Sequence, residues 1–298
     1  MMGPMPLTGI RVFACLTAIV PFLSIAAAQD VPVPSPSPTS IDQPAPSASP
    51  PAISAPSPGA APARWVPDDK RRTMRGYWAN LRYNFIGVVT PGNHMPLLVT
   101  AALTAPAFAW DDECQSYFEK HPHDQFGKTG ANLGGGIAVA GLTLGFFSAG
   151  RYSHSDRFRA TTYDLSQAVI VNQVYTQVVK LATHRERPDG SNHQSFFSGH
   201  ASNAFASATV VALHYHGLAI PSYAVATFIA TSRLAANKHH FSDVVAGAGF
   251  GFGVGRAVVR RNGRPPDKPG ATDIVRWDVM PSGGPAGDGT GVQVRVTF

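Results

Sequence analysis

The sequence predicts an all-α fold, a six-helix bundle with a small C-terminal β-hairpin, on three observations. Six segments, roughly 94–110, 131–150, 161–183, 201–215, 220–236 and 243–259, are long and apolar enough to form helices. Turn signals separate them at Asp111-Asp112, His121-Pro122, Pro188-Asp189-Gly190 and Gly217. No alternation of apolar and polar residues occurs among them, so helix must pack on helix. Alternation appears only in the tail.

Taken in order, residues 1–28 read as a secretory signal peptide. Arg11 supplies the positive start, residues 12–27 a short apolar run, and Ala26-Ala27-Ala28 a small-residue cleavage site. The run is short for a span of ~20 residues and Pro21 interrupts it, which favours cleavage over an anchor. The mature chain is then exported, to a bacterial periplasm. Residues 29–63 are almost all Pro, Ser, Ala and small polar residues. Such a segment buries too little apolar surface to offset its ordering entropy and reads as a disordered tether.

Residues 64–262 form the helical domain, with its core over 94–260. At its start, Trp65, Tyr77, Trp78, Tyr83 and Phe85 lie among arginines. This segment packs its aromatics on the domain or, alternatively, lies on a membrane surface. Between Lys128 and Arg151 there is no charge, a run long enough to span a bilayer. By contrast, 161–183 carries Asp164, Gln167, Asn172, Gln173, Gln177 and Lys180, which are costly facing lipid. An integral and a soluble bundle both satisfy this pattern. In the tail, 263–298, two alternating stretches joined by a Gly-rich link predict the hairpin.

Composition narrows the class of function. Only 14% of the 298 residues are charged, against roughly 25% in typical soluble domains. That tilts the chain toward membrane contact. The net charge of +6 suits anionic substrates or lipid surfaces. No aromatic-interleaved basic module points to nucleic acid. With Cys15 in the signal peptide, Cys114 is the one thiol left and forms no internal disulfide.

Three clusters carry the chemistry: Lys180 through Arg187-Pro188, then Phe197-Ser198-Gly199-His200, then Ser232-Arg233 through His239 to Asp243. They offer three cations, a Gly-containing turn opening a helix, and two separated histidines, one with a carboxylate four residues on. In-line attack on a phosphate group needs such a set. Cations hold the oxygens, one imidazole attacks, and the other protonates the departing oxygen.

Lys-x6-Arg-Pro, Ser-Gly-His and Ser-Arg-x5-His-x3-Asp, in this order, resemble the three-part signature of the phosphatidic acid phosphatase type 2 and vanadium haloperoxidase superfamily. The motifs span about a fifth of the chain, and the six helices resemble that family's core. One departure is Phe197, where the family usually has Pro. Proline would fix φ and stiffen the start of the loop. Its replacement removes no catalytic group.

Residue by residue, the roles follow from side-chain chemistry. Arg187 and Arg233 grip phosphate oxygens bidentately and Lys180 acts as a point charge. Ser198 caps the helix that follows, and Gly199 lets the backbone approach the anion. His200 is the general acid, then the base for water. His239 is the nucleophile, oriented by Asp243, one turn away if the segment is helical. The same spacing serves metal sites, but the three clusters together favour a metal-free route.

The resemblance implies a phosphatase without cofactor or metal, working through a phosphohistidine on a phosphorylated lipid or a small phosphate ester, with membrane association and no nucleic acid. Alternatives are a soluble periplasmic broad-specificity acid phosphatase, a vanadate-dependent haloperoxidase, and a non-catalytic envelope protein that binds anions.

Overall fold

A computed structural model of the protein describes residues 72–263, 276–282 and 291–297. The expected signal peptide and tether lie outside the described residues. Nine α-helices stand among the described residues where six were expected: α1 Tyr77–Val88, α2 His94–Ala107, α3 Asp111–Lys120, α4 Asp124–Gly134, α5 Gly136–Tyr152, α6 Asp156–Thr183, α7 Gly199–His214, α8 Ala219–Ala235 and α9 Phe241–Asn262. Two strands, β1 Arg276–Ser282 and β2 Gly291–Thr297, pair antiparallel, with Arg276 opposite Thr297.

The extra helices have physical causes. Asp111 and Asp112 do not turn the chain. They sit in the first turn of α3, where carboxylates complement the positive end of the helix dipole. The uncharged run between Lys128 and Arg151 is not one helix. Gly134, Gly135 and Gly136 each cost helix stability, by about 1 kcal/mol relative to alanine. Gly135 turns extended, and α4 and α5 meet at a 43° bend there. One helical stretch among the described residues, His216–Ala235, is long and apolar enough to cross a membrane, or two if the bent pair is counted as one span.

Helix α9 is buried along nearly its whole length and organises the rest. Gly247, Gly251 and Gly255 recur every fourth residue on the side facing α7. A Cβ on Gly251 would lie 2.1 Å from the Ser202 carbonyl oxygen, and one on Gly247 2.6 Å from that of Ser198. Only glycine lets the two backbones approach so closely. The Ser198 amide donates to the Asp243 carbonyl at 3.0 Å, so the starts of α7 and α9 are tied together. That tie sets His200 relative to His239.

Two apolar clusters flank α9. One gathers Phe205, Tyr223, Phe241 and Phe252 from α7, α8 and α9. The other gathers Tyr77, Tyr163, Val171 and Val258 from α1, α6 and α9. The aromatic segment therefore divides its roles. Tyr77, Leu81 and Val88 of α1 are buried, while Trp78, 75% exposed, Tyr83 and Ile86 face outward.

Candidate active site

Four chain breaks place the site residues. Helix α6 ends just after Lys180, where His184 turns left-handed at φ 44°. The loop that follows folds back through Arg187, whose amide donates to the Asn192 carbonyl at 3.0 Å. Ser198 caps α7 as expected, its hydroxyl accepting from the Ala201 amide. Arg233 lies in the last turn of α8, and the chain turns left-handed again at Asn237 before His239. The expected helical relation of His239 to Asp243 does not hold, because α9 starts only at Phe241. His240 is its N-cap, and the Asp243 carboxylate accepts from the His240 amide at 2.9 Å.

The loop before α7 holds Phe197 where the resemblance leads one to expect proline. Phe197 is buried, with its ring 4.8 Å from that of Phe250. Packing holds the loop where proline would have fixed φ.

A cavity of about 170 Å3 is lined by Lys180, Arg187, Gly199, His200 and His239, with Gln173, Thr176, Gln177, Gln194, Asn203, Gly134 and Gly136. The Lys180 ammonium donates to the Gln194 carbonyl. Arg233 is not among the lining residues but is buried close behind. Several arginine donors here have no protein partner: Arg187 Nε, and Arg233 Nε and Nη1. Buried donors left unpaired are costly, and an anion would satisfy them.

Electrostatics agree with that geometry. Burial pushes Lys180 down to about 8, helped by Arg187 and opposed by Asp243. Burial and Arg187 lower Arg233 to about 10. Burial pushes His200 down to about 3, with Arg233 and His239 adding to it and a backbone hydrogen bond to Ala131 opposing. Burial lowers His239 to about 4 against the pull of Asp243. Burial would raise Asp243, but His239, Arg185 and Ser195 outweigh it and hold the carboxyl below its usual range. The site is thus poor in negative charge, with two neutral imidazoles among fixed cations.

Residues 162–265 match the model of the PAP2 superfamily. The matched stretch holds all three motif clusters, from Lys180 to Asp243. Over 80 residues it is 41% identical to the lipid A 1-phosphatase of Porphyromonas gingivalis, covering 26% of this chain and 18% of that one. Over 148 residues it is 24% identical to a PA-phosphatase related-family protein of Dictyostelium discoideum, covering 40% of this chain and 54% of the relative. The chain thus spans less than two thirds of either. A transmembrane PAP2 type phosphatidylglycerolphosphate phosphatase from Bacillus subtilis aligns at a TM-score of 0.44 with 18% identity, over 56% of this chain and 93% of that one.

Around the cavity the structure adds residues that the motifs did not supply. Asp243 lies 3.7 Å from His239 Nδ1, beyond a hydrogen bond. Its carboxylate is held instead by Arg185 Nη1 at 2.7 Å and by the Ser195 hydroxyl. Arg185 Nη2 reaches Asp111 at 2.7 Å, and Asp111 accepts from the Ser242 amide and hydroxyl, both at 2.7 Å. The Arg185 guanidinium also lies over the Phe108 ring, 4.9 Å from its centroid. Arg185 sits between two motif positions and could have been suspected. Asp111 had no sequence signal linking it to the site.

His184 and His193 do not line the cavity. His240 binds the Glu186 carbonyl through Nε2 at 3.2 Å and serves the helix start. Among the described residues no three His, Cys, Asp or Glu side chains converge as a metal-ligand set.

Proposed function

We propose that the chain is a metal-independent phosphatase that hydrolyses a lipid phosphate, monoester or diphosphate, through a phosphohistidine at His239. The observation that carries this reading is the group of buried, unpartnered arginine N–H donors around a neutral imidazole at a cavity. In the proposed first step His239 Nε2 forms a bond to phosphorus as the ester P–O bond breaks. Lys180, Arg187 and Arg233 stabilise the growing charge on the oxygens, with the free amides at the start of α7. Asp243 steadies the Nδ1 proton once the imidazole carries charge.

His200 delivers a proton to the departing oxygen. Its imidazole is neutral in the empty site, and an arriving dianion raises its affinity for a proton. In the second step His200 takes a proton from water, the water oxygen attacks phosphorus, and the P–N bond breaks to release phosphate.

The lipid part of the proposal rests on the outer surface. Val174, Val178 and Leu181 lie exposed on α6 beside the cavity-lining Gln173 and Gln177. Ile137, 93% exposed, follows the cavity-lining Gly136. Apolar surface of this extent beside a polar cavity suits a substrate with a charged head and an apolar tail. The relative named as a lipid A 1-phosphatase supports the same class. Export to the periplasm, with the site reached from the membrane surface, completes the proposal.

Phosphate release in strong chelator, from detergent-solubilised lipid phosphates paired with p-nitrophenyl phosphate, tests it. We expect undiminished turnover with a preference for lipid. Loss of turnover in chelator would contradict the metal-free route. Equal rates on both substrates would point to a broad acid phosphatase.

A further inference from the structure

The polar residues of α6 fall into two groups. Asp164 and Gln167 turn to a sealed network far from the cavity. Gln173, Thr176, Gln177 and Lys180 line the cavity itself, at the i, i+4 spacing of adjacent turns. Phosphate binding explains Lys180. It does not explain the amides.

The amides are held in a defined order. The Ser202 hydroxyl donates to Asn172 Oδ1 at 2.5 Å, Asn172 Nδ2 donates to Asn203 Oδ1 at 2.6 Å, and Asn203 Nδ2 donates to Gln173 Oε1 at 3.1 Å. Ser202 and Asn172 are fully buried and Asn203 is 4% exposed. This chain of bonds sets which way each amide points and leaves the Gln173 NH2 free to donate into the cavity. Gln177 stands one turn closer to Lys180. Gly134 and Gly136 also line the cavity and contribute no side chain to it. The volume of about 170 Å3 is several times the ≈30 Å3 share of one water, which leaves room beside a bound phosphate.

We propose that Gln173, Gln177 and Asn203 form a subsite for an uncharged, hydroxyl-bearing group attached directly to the scissile phosphate, a sugar or polyol rather than a plain alkyl chain. The lining residues include no carboxylate, so a cationic group finds no partner there. The cations cluster at the phosphate end, so a second anion beside the amides would lack one. Hydroxyls, which both donate and accept, match neutral amides. A site built this way rejects an analogue lacking the hydroxyls, because its own polar groups are then left unpaired.

This inference rests on the phosphatase reading, and its test separates the two. Rates on glucose 6-phosphate and n-butyl phosphate, both esters of primary alcohols, are measured for the full chain and for Gln173→Ala, Gln177→Ala and the double variant. Both glutamines are exposed, so the fold is expected to survive. We expect the unmodified protein to favour glucose 6-phosphate. The double variant should lose about 10- to 100-fold in kcat/KM on it, mostly through KM, and change within about twofold on n-butyl phosphate. Equal losses on both esters, or no initial preference, would overturn the subsite while leaving the phosphatase reading intact. No phosphate release from any ester by the unmodified protein would sink the phosphatase reading and the subsite with it.

Discussion

Two buried clusters in this molecule contain the same three residue types, Arg, Asp and His, and only one of them borders a cavity. In the remote cluster Arg72 grips Asp164 bidentately, with both contacts at 2.9 Å. His214 Nε2 meets the same carboxylate at 2.9 Å, and Asn262 adds a bond at 2.8 Å. All four side chains are buried. Burial would raise Asp164, but Arg72 and His214 outweigh it and keep the carboxyl low. In the active-site cluster Arg185 and Ser195 hold Asp243, and His239 stands 3.7 Å away without a partner on Nδ1. Lys180, Arg187 and Arg233 then add positive charge that no carboxylate fully balances.

The difference teaches what separates a structural charge cluster from a reactive one. The remote carboxylate has its bonds made, so the cluster ties the segment before α1 to α6, α7 and α9. The site keeps several arginine donors unsatisfied beside open space, whereas an unpaired Nδ1 is common to both clusters, at His239 and at His214. That arrangement destabilises the empty protein and is relieved by an anion.

The comparison breaks most sharply at the two histidines. His239→Gln should lower kcat by at least about 10^4-fold with unchanged circular dichroism, as loss of a covalent nucleophile does. His214→Gln should leave the kcat of the folded fraction within about threefold. A large kcat loss in both would erase the distinction. Next in size, His200→Ala should cost about 10^2- to 10^4-fold on alkyl phosphates and far less on p-nitrophenyl phosphate, whose leaving group needs no proton. Equal losses on the two would remove the general-acid role.

The remote cluster should respond in stability instead. Asp164→Ala leaves Arg72 buried beside no carboxylate, and denaturant titration should show a loss of about 3–5 kcal/mol. A loss below about 1 kcal/mol would show that the cluster does not hold the fold.

Smaller effects sharpen the picture at the site. Arg185→Gln removes a donor from Asp243 and frees the carboxylate for His239. The groups facing this pair are Lys180, Arg187, Ser195 and His200. The acid limb of kcat/KM should move to higher pH, because a freer carboxylate raises the imidazole; an unmoved limb would make Arg185 merely structural. Stability should also follow pH. The folded protein holds His200 at about 3 and His239 at about 4, against an ordinary value of 6.5. The unfolded chain therefore takes up protons first as pH falls, and stability drops between about 6.5 and 3. Orthovanadate should reverse part of that drop, and a His200→Asn, His239→Asn variant should flatten it.

Lys180, Arg187, His200 and His239, which meet at the cavity, were legible in the sequence because each lies in a short motif whose spacing reflects a loop joined to a helix end. The six expected helices stand close to where their apolar runs placed them. The break at Gly135 was masked by the length of the uncharged run, although three successive glycines signalled it. Asp111 was read as part of a turn. Its contact with Ser242 bridges 131 positions, and no local pattern encodes a partner that distant. Arg185 was hidden differently, since a lone arginine inside a motif looks the same whether it binds substrate or holds a carboxylate.

The most direct test is alkali-quenched labelling with a 32P-labelled phosphate ester, followed by peptide mapping at alkaline pH. The account predicts acid-labile, base-stable label on the peptide carrying His239, absent from His239→Gln and accumulating in His200→Ala when the ester has an acidic leaving group. Label on another residue, or full turnover by His239→Gln, would contradict it.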